Sequence, residues 1–294
     1  MAEYAVEVDD LTYKFAESTE PSVVDIKLQV PWHTRTLVVG ANGAGKSTLL
    51  KLLAGKHLCL NGKILVNGLD PFSPLSMYQD NDKTTAEDKD WQVTTYLGTE
   101  WCHMSIINRD IGVLELLESI GLAHYRDRGN KLIEILDINI NWRMHRLSDG
   151  QKRRVQLAMG LLKPWRVLLL DEVTVDLDVI ARSRLLEFLR WETNTRKCSV
   201  IYATHIFDGL ATWPDNVVHL KDGKIIDQLD YTKDVEFRND SDKNSNGKVI
   251  FHSPEHVINP HTDKPSISIS RVNSLHPLAL AWLRNDTGIE DKEI

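Results

Sequence analysis

Short apolar runs alternate along the chain with longer segments whose apolar positions recur every three or four residues, the pattern of parallel strands covered by helices. Strands are predicted at residues 22–30, 35–39, 63–66, 167–170, 198–203 and 217–220. The run Val167-Leu168-Leu169-Leu170 is apolar on both faces, as a strand buried between helices must be. Residues 111–120 and 131–136 repeat apolar positions at helical spacing with no strand between them, so residues 102–147 read as a helical insertion and 102–162 as a helical subdomain. Residues 79–90 are polar and acidic without periodicity, and predict an exposed loop. Lys221-Asp222-Gly223-Lys224 places an Asp-Gly turn between two apolar runs, which predicts a hairpin. From residue 238 to 248 the composition becomes that of a linker; beyond it Ser266-Ile267-Ser268-Ile269-Ser270 alternates like a strand, and 277–283 predicts a helix with Pro277 in its first turn. The chain therefore divides into a main domain at 1–235 and a linker with C-terminal extension at 236–294. An extension this short holds no core of its own and is expected to pack on the main domain or on a partner.

The 294 residues suffice for one large domain with an appendage. At 42% hydrophobic and 26% charged, the composition excludes collagen-like, mucin-like and globally disordered classes. No stretch reaches the roughly 20 apolar residues of a membrane span. Met1-Ala2-Glu3-Tyr4 is not a basic region leading into an apolar one, so no secretory signal is expected. Cys59, Cys102 and Cys198 are far apart and odd in number, which points to a reducing compartment rather than a disulfide framework or a zinc cluster. A cytoplasmic location follows, with the nucleus as an additional one. The net charge of −7 argues against a protein that coats nucleic acid. Direct nucleic-acid binding is not expected, and Arg143, Arg146, Lys152, Arg153 and Arg154 read as a solvated helix face.

The chemistry lies in three short strings. Gly40-Ala41-Asn42-Gly43-Ala44-Gly45-Lys46-Ser47 follows the strand ending at Val39 and precedes a helical run beginning at Thr48, the setting a phosphate-binding loop requires. The glycines let backbone N–H groups turn inward around a β-phosphate, and the positive end of the helix favours the anion. Lys46 would reach the β- and γ-oxygens, and the Ser47 hydroxyl would ligate Mg²⁺. Asp171-Glu172 ends the apolar run at 167–170 and delivers two carboxylates to a sheet rim, Asp171 suited to a Mg²⁺ shell and Glu172 to taking the proton of an attacking water. Leu147-Ser148-Asp149-Gly150-Gln151 opens a helix; Ser148 and Gln151 form a capping box, and the exposed N–H groups of the helix start offer a second anion site at Ser148, Gly150 and Gln151.

In their order and spacing these strings resemble the ATP-binding cassette family. The phosphate loop comes first, a helical insertion follows, Gln151 lies 20 residues before Asp171, and Thr204-His205 ends the next strand. The resemblance spans about residues 5–230 and implies an α/β P-loop NTPase of ABC type with a helical subdomain and a small C-terminal extension. It implies that Tyr13 stacks on adenine, that Glu172 is the catalytic base, and that His205 holds the γ-phosphate and the attacking water. It further implies that Val175-Asp176-Leu177-Asp178 couples two active sites, with Asp176 near the nucleotide. ATP and Mg²⁺ are the implied cofactors. Because the family places the phosphate loop and the signature on different surfaces, one copy of each in a chain implies a homodimer with nucleotide sandwiched between subunits.

Two departures stand out. Asp149 occupies a signature position that is commonly glycine in the family, although Ser148 and Gly150 are kept. The glutamine expected after the strand that follows the phosphate loop is absent from Tyr96-Leu97-Gly98-Thr99-Glu100-Trp101, where Glu100 is the nearest substitute as a metal contact. Coupling to a transport partner is weakened accordingly. The strings Gly98-Thr99-Glu100-Trp101-Cys102-His103-Met104 and Arg143-Met144-His145-Arg146 are similar to those of small stand-alone family members in yeast and plants. That similarity implies a part in gene regulation through a NOT-type complex that acts on transcription or mRNA. Two other readings stay open: the ATPase subunit of a transporter whose permease is a separate chain, and a non-enzymatic ATP-sensing adaptor.

Overall fold

The computed structural model describes residues 2–73, 92–98, 109–238, 249–251, 267–270 and 275–287. The expected loop at 79–90, Glu100 and residues 239–248 of the expected linker lie outside the described residues. The chain begins with a strand that the sequence pattern did not reveal. β1 (Val6–Tyr13) pairs antiparallel with β2 (Val23–Val30), and its register slips between Val8 and Leu11. Asp10 there takes a positive φ of 49°. That irregularity shifts the alternation, so Val6 and Val8 are buried on one phase and Leu11 on the other.

β3 (Arg35–Val39) leads into α1 (Lys46–Leu53), and β4 (Lys63–Val66) completes a three-stranded antiparallel sheet in the order β2-β1-β4. β5 (Gln92–Leu97) precedes the helical segment, which contains α2 (Val113–Ser119), α3 (Arg126–Ile135) and α4 (Asp149–Leu162). β6 (Trp165–Asp171), α5 (Val179–Thr195), β7 (Ser199–Ala203), β8 (Asn216–Lys221) and β9 (Lys224–Asp230) follow. They build a six-stranded sheet in the order β5-β6-β7-β3-β8-β9, parallel except for β9. The β8–β9 hairpin turns at Asp222 (φ 47°) and Gly223 (φ 76°), the two positive values of a type I′ turn.

The two faces of this sheet go to two cores. Val38, Val167, Leu169, Ile201 and Val218 pack against α1 and the antiparallel sheet. Leu37, Leu168, Leu170, Val200 and Val217 pack against α4, α5 and the helical segment. Alternate residues of β6 thus serve opposite layers, which is why its sequence is apolar throughout.

After α6 (Tyr231–Asp234), β10 (Val235–Arg238), β11 (Val249–Phe251) and β12 (Ile267–Ser270) form a small sheet in the order β10-β12-β11, and α7 (His276–Thr287) ends the described chain. Ile267, Ile269, Leu275, Leu278, Ala279 and Trp282 are buried in the same core as α4 and α5. Leu280, on the other side of α7, is exposed. The Trp282 ring stacks on His219 of β8 at 4.6 Å, and His219 Nε2 lies 2.9 Å from Asp286 Oδ2. The extension therefore packs back onto the main sheet through a buried aromatic contact and a buried polar one.

Candidate functional site

The loop between β3 and α1 wraps the mouth of a cavity of about 340 Å³ lined by Asn42, Gly43, Gly45, Lys46, Ser47 and Thr48, with Ser22 and Glu172 on its other sides. Gly40 and Ala41 stand at the loop's base, and Ala44 is buried beneath it. Gly45 caps α1 with φ 102°, and a Cβ there would lie 2.6 Å from the Ser22 carbonyl oxygen. At Gly40 the backbone passes so near β8 that a Cβ would lie 2.2 Å from the Leu220 carbonyl oxygen. Only glycine satisfies both positions. Lys46 is buried, and its Nζ donates to the carbonyls of Gly40 (2.8 Å) and Ala41 (3.0 Å). Burial pushes its ammonium below the ordinary lysine value, while the carboxylates of Glu172 and Asp171 push it back up. A buried cation beneath a glycine-rich loop that opens a helix N-terminus fits a polyphosphate.

β6 brings two carboxylates to this mouth. Ser47 Oγ donates to Asp171 Oδ1 at 3.0 Å, and Tyr96 Oη from β5 donates to Asp171 Oδ2 at 2.9 Å. A hydroxyl and a carboxylate are hard oxygen donors, suited to Mg²⁺, which binds one or two protein groups and completes its shell with waters and phosphate oxygens. The next residue, Glu172, takes a positive φ of 57°, and its N–H donates to Ala203 O at 3.0 Å. A left-handed conformation is uncommon for glutamate, and here it lies at the end of β6, where Glu172 lines the cavity. Glu172 Oε2 lies in close contact with Nδ1 of His205, which follows β7 and is half exposed.

The signature lies apart from this cavity. Ser148 caps α4: its Oγ accepts from Gln151 N–H at 3.3 Å, and its own N–H donates to Gln151 Oε1 at 3.0 Å. Both arms of the expected capping box are present, with Ser148 and Asp149 exposed. A Cβ on Gly150 would lie 2.9 Å from the Asp176 carbonyl oxygen, so the helix start and the loop after Glu172 touch closely. Around Asp176, Val175 is 45% exposed, Val179 84% and Ile180 65%, an apolar rim that water covers in a single chain.

One expectation is corrected. Arg153 is not on a solvated face: it is buried, its Nη1 donates to Gly98 O at 3.0 Å, and its Nε lies 3.5 Å from Asp176 Oδ2. Gln156 Nε2 donates to the same Gly98 carbonyl at 3.0 Å. Arg153 thereby ties the end of β5, helix α4 and the Asp176 loop together. The signal was present, because Arg153 stands three residues before buried Gln156 and four before buried Leu157.

Tyr13 sits beside the cavity mouth, its carbonyl accepting from the N–H of Ser22 at 2.8 Å. Its ring lies against His57 (5.7 Å, near-parallel) and edge-on to Phe15 (5.0 Å). Phe15, which the sequence reading passed over, is the more exposed of the two rings and adds a second aromatic side chain there.

A family model described as ABC transporter matches residues 23–175. CCR4-associated factor 16 of Saccharomyces cerevisiae is 70% identical over 295 residues, covering 100% of this chain and 99% of that protein. ABC transporter I family member 21 of Arabidopsis thaliana is 42% identical over 240 residues, covering 79% of this chain and 80% of its own length. Among solved structures, a dimeric bacterial ABC transporter cassette superposes with a TM-score of 0.60 at 18% identity, covering 76% of this chain and 98% of that one, a likeness of fold alone. No helix among the described residues is long and apolar enough to cross a membrane. With a phosphate loop, sheet-rim carboxylates and a capped signature helix in place, and with relatives aligned over most of its length, the chain belongs to the ATP-binding cassette (ABC) family.

Proposed function

We propose that the chain is an ATPase that closes as a homodimer around two ATP·Mg²⁺, each nucleotide held by the phosphate loop of one copy and the Ser148–Gly150 helix start of the other. The observation that carries this reading is the pairing of Glu172 with His205 at a cavity that also presents Lys46 and the Ser47–Asp171 pair. Lys46 and the loop N–H groups bind the phosphates, and Tyr13 with Phe15 offers a face to the adenine. Ser47 and Asp171 would hold Mg²⁺, which when bound would supply charge neutralisation at the phosphate oxygens. Glu172 takes the proton of the attacking water, and His205 orients that carboxylate. Three features support the two-copy arrangement: the signature is absent from the cavity lining, its helix start is exposed, and an apolar rim surrounds Asp176.

The biological role we infer is regulation of gene expression through a multiprotein complex, as the resemblance to small stand-alone family members implies; the yeast relative is named for its association with CCR4. The first test is phosphate release by the purified full chain supplied with ATP·Mg²⁺. Steady release is expected. ATP bound without phosphate release would replace the enzyme with an ATP-sensing adaptor.

A further inference from the structure

β5 and β6 run side by side in parallel, with Tyr96 opposite Leu169 and Leu97 opposite Leu170. Leu169 and Asp171 are two residues apart on one strand and so share a face, the one that packs toward α1 and its Ser47. Tyr96 packs against that same core. From there its phenol reaches forward along the sheet to Asp171 Oδ2 at 2.9 Å, leaving Oδ1 to Ser47 at 3.0 Å.

The surroundings hold the ring in this pose. Lys56 Nζ lies over it, 4.8 Å from the centroid. Two residues on, Gly98 leaves the space the phenol uses, because a Cβ there would lie 2.5 Å from Tyr96 Oη. The Gly98 carbonyl is in turn pinned by Arg153 and Gln156 at 3.0 Å each. A side-chain-free, anchored strand end next to a phenol that grips one carboxylate oxygen is an arrangement beyond what sheet pairing requires.

We infer that Tyr96 is a positioning residue for the metal-binding carboxylate: its hydroxyl fixes Asp171 in the orientation that presents Oδ1 beside Ser47, and so sets the affinity of the site for the divalent cation. This inference rests on the proposed ATP·Mg²⁺ reading. A donor that locks a metal-binding carboxylate acts on metal affinity by typically 10- to 100-fold. With a carboxylate already oriented in part by Ser47, the lower end of that range is the expectation.

The test compares the full-length wild type with Tyr96→Phe and Gly98→Ala, the second displacing the phenol without removing it. ATP affinity is measured by titration in EDTA and again with saturating Mn²⁺, and hydrolysis is followed against Mg²⁺ concentration. Tyr96→Phe should bind ATP in EDTA as the wild type does, yet lose on the order of 10-fold of the affinity that Mn²⁺ adds. Its half-saturating Mg²⁺ should rise by a similar factor while the rate at saturating Mg²⁺ changes little. Gly98→Ala should move in the same direction. A Mn²⁺-dependent gain equal to wild type in both variants would overturn the inference. Wild-type protein that binds no ATP under either condition would instead overturn the nucleotide reading beneath it.

Discussion

Glu172→Gln is expected to bind ATP as the wild type does and to release phosphate at least about 100-fold more slowly, the scale on which a positioned general base accelerates a reaction. The substitution keeps the shape of the side chain. It also keeps the backbone N–H bond to Ala203 and an oxygen able to face His205, so the strand end retains its turn. What it removes is a group able to accept a proton from water. Because Glu172 lines the cavity while Ser47 and Asp171 are untouched, binding and chemistry separate cleanly in this variant. Phosphate release and ATP titration on the same preparation measure both, and unchanged turnover would remove Glu172 from the catalytic role.

Lys46→Ala should have the opposite signature. The Nζ is buried at the base of the loop, within hydrogen-bond distance of two carbonyls and near two carboxylates. Removing it strips the site of the cation that faces the β- and γ-phosphates and leaves the carboxylates to repel them. Charge-assisted hydrogen bonds contribute about 1.5–3 kcal/mol, so ATP affinity should fall on the order of 10- to 100-fold, whatever happens to turnover. Titration with ATP·Mg²⁺ reads this directly, and an affinity equal to wild type would refute the assignment.

How much of this was legible in the sequence depended on how local each feature is. The phosphate loop occupies consecutive residues, with Gly40 and Gly45 forced by backbone contacts to Leu220 and Ser22, and the capping box of α4 lies within four residues. Asp171 and Glu172 follow a short run, apolar on both faces, of the kind a buried parallel strand carries. The hairpin at Asp222-Gly223 is likewise decided by two residues. Features made by distant residues stayed hidden. β1 carries a register slip at Asp9-Asp10 that breaks its alternation, and β5, Gln92–Leu97, is polar enough at its threonines to pass as loop. Tyr96 acquires meaning from Asp171, 75 residues away, and no spacing in the sequence announces that pair. Arg153 was lost in a run of cations, where only the helical phase separates a buried guanidinium from its half-buried neighbours Lys152 and Arg154. The extension was recognisable as patterned, but the buried contacts of Trp282 and Asp286 with His219 belong to the tertiary structure.

The central claim is that a complete site takes the phosphate loop from one copy and the signature helix from another, and the mass of Glu172→Gln in solution tests it most directly. Light scattering should give the monomer mass of 33.5 kDa without nucleotide and twice that value with ATP·Mg²⁺. Adding Ser148→Arg, which places a long side chain at an exposed helix start away from the cavity, should keep ATP binding and leave the protein monomeric. A monomer mass for Glu172→Gln with ATP·Mg²⁺ bound, or a dimer indifferent to both nucleotide and Ser148→Arg, would contradict the account.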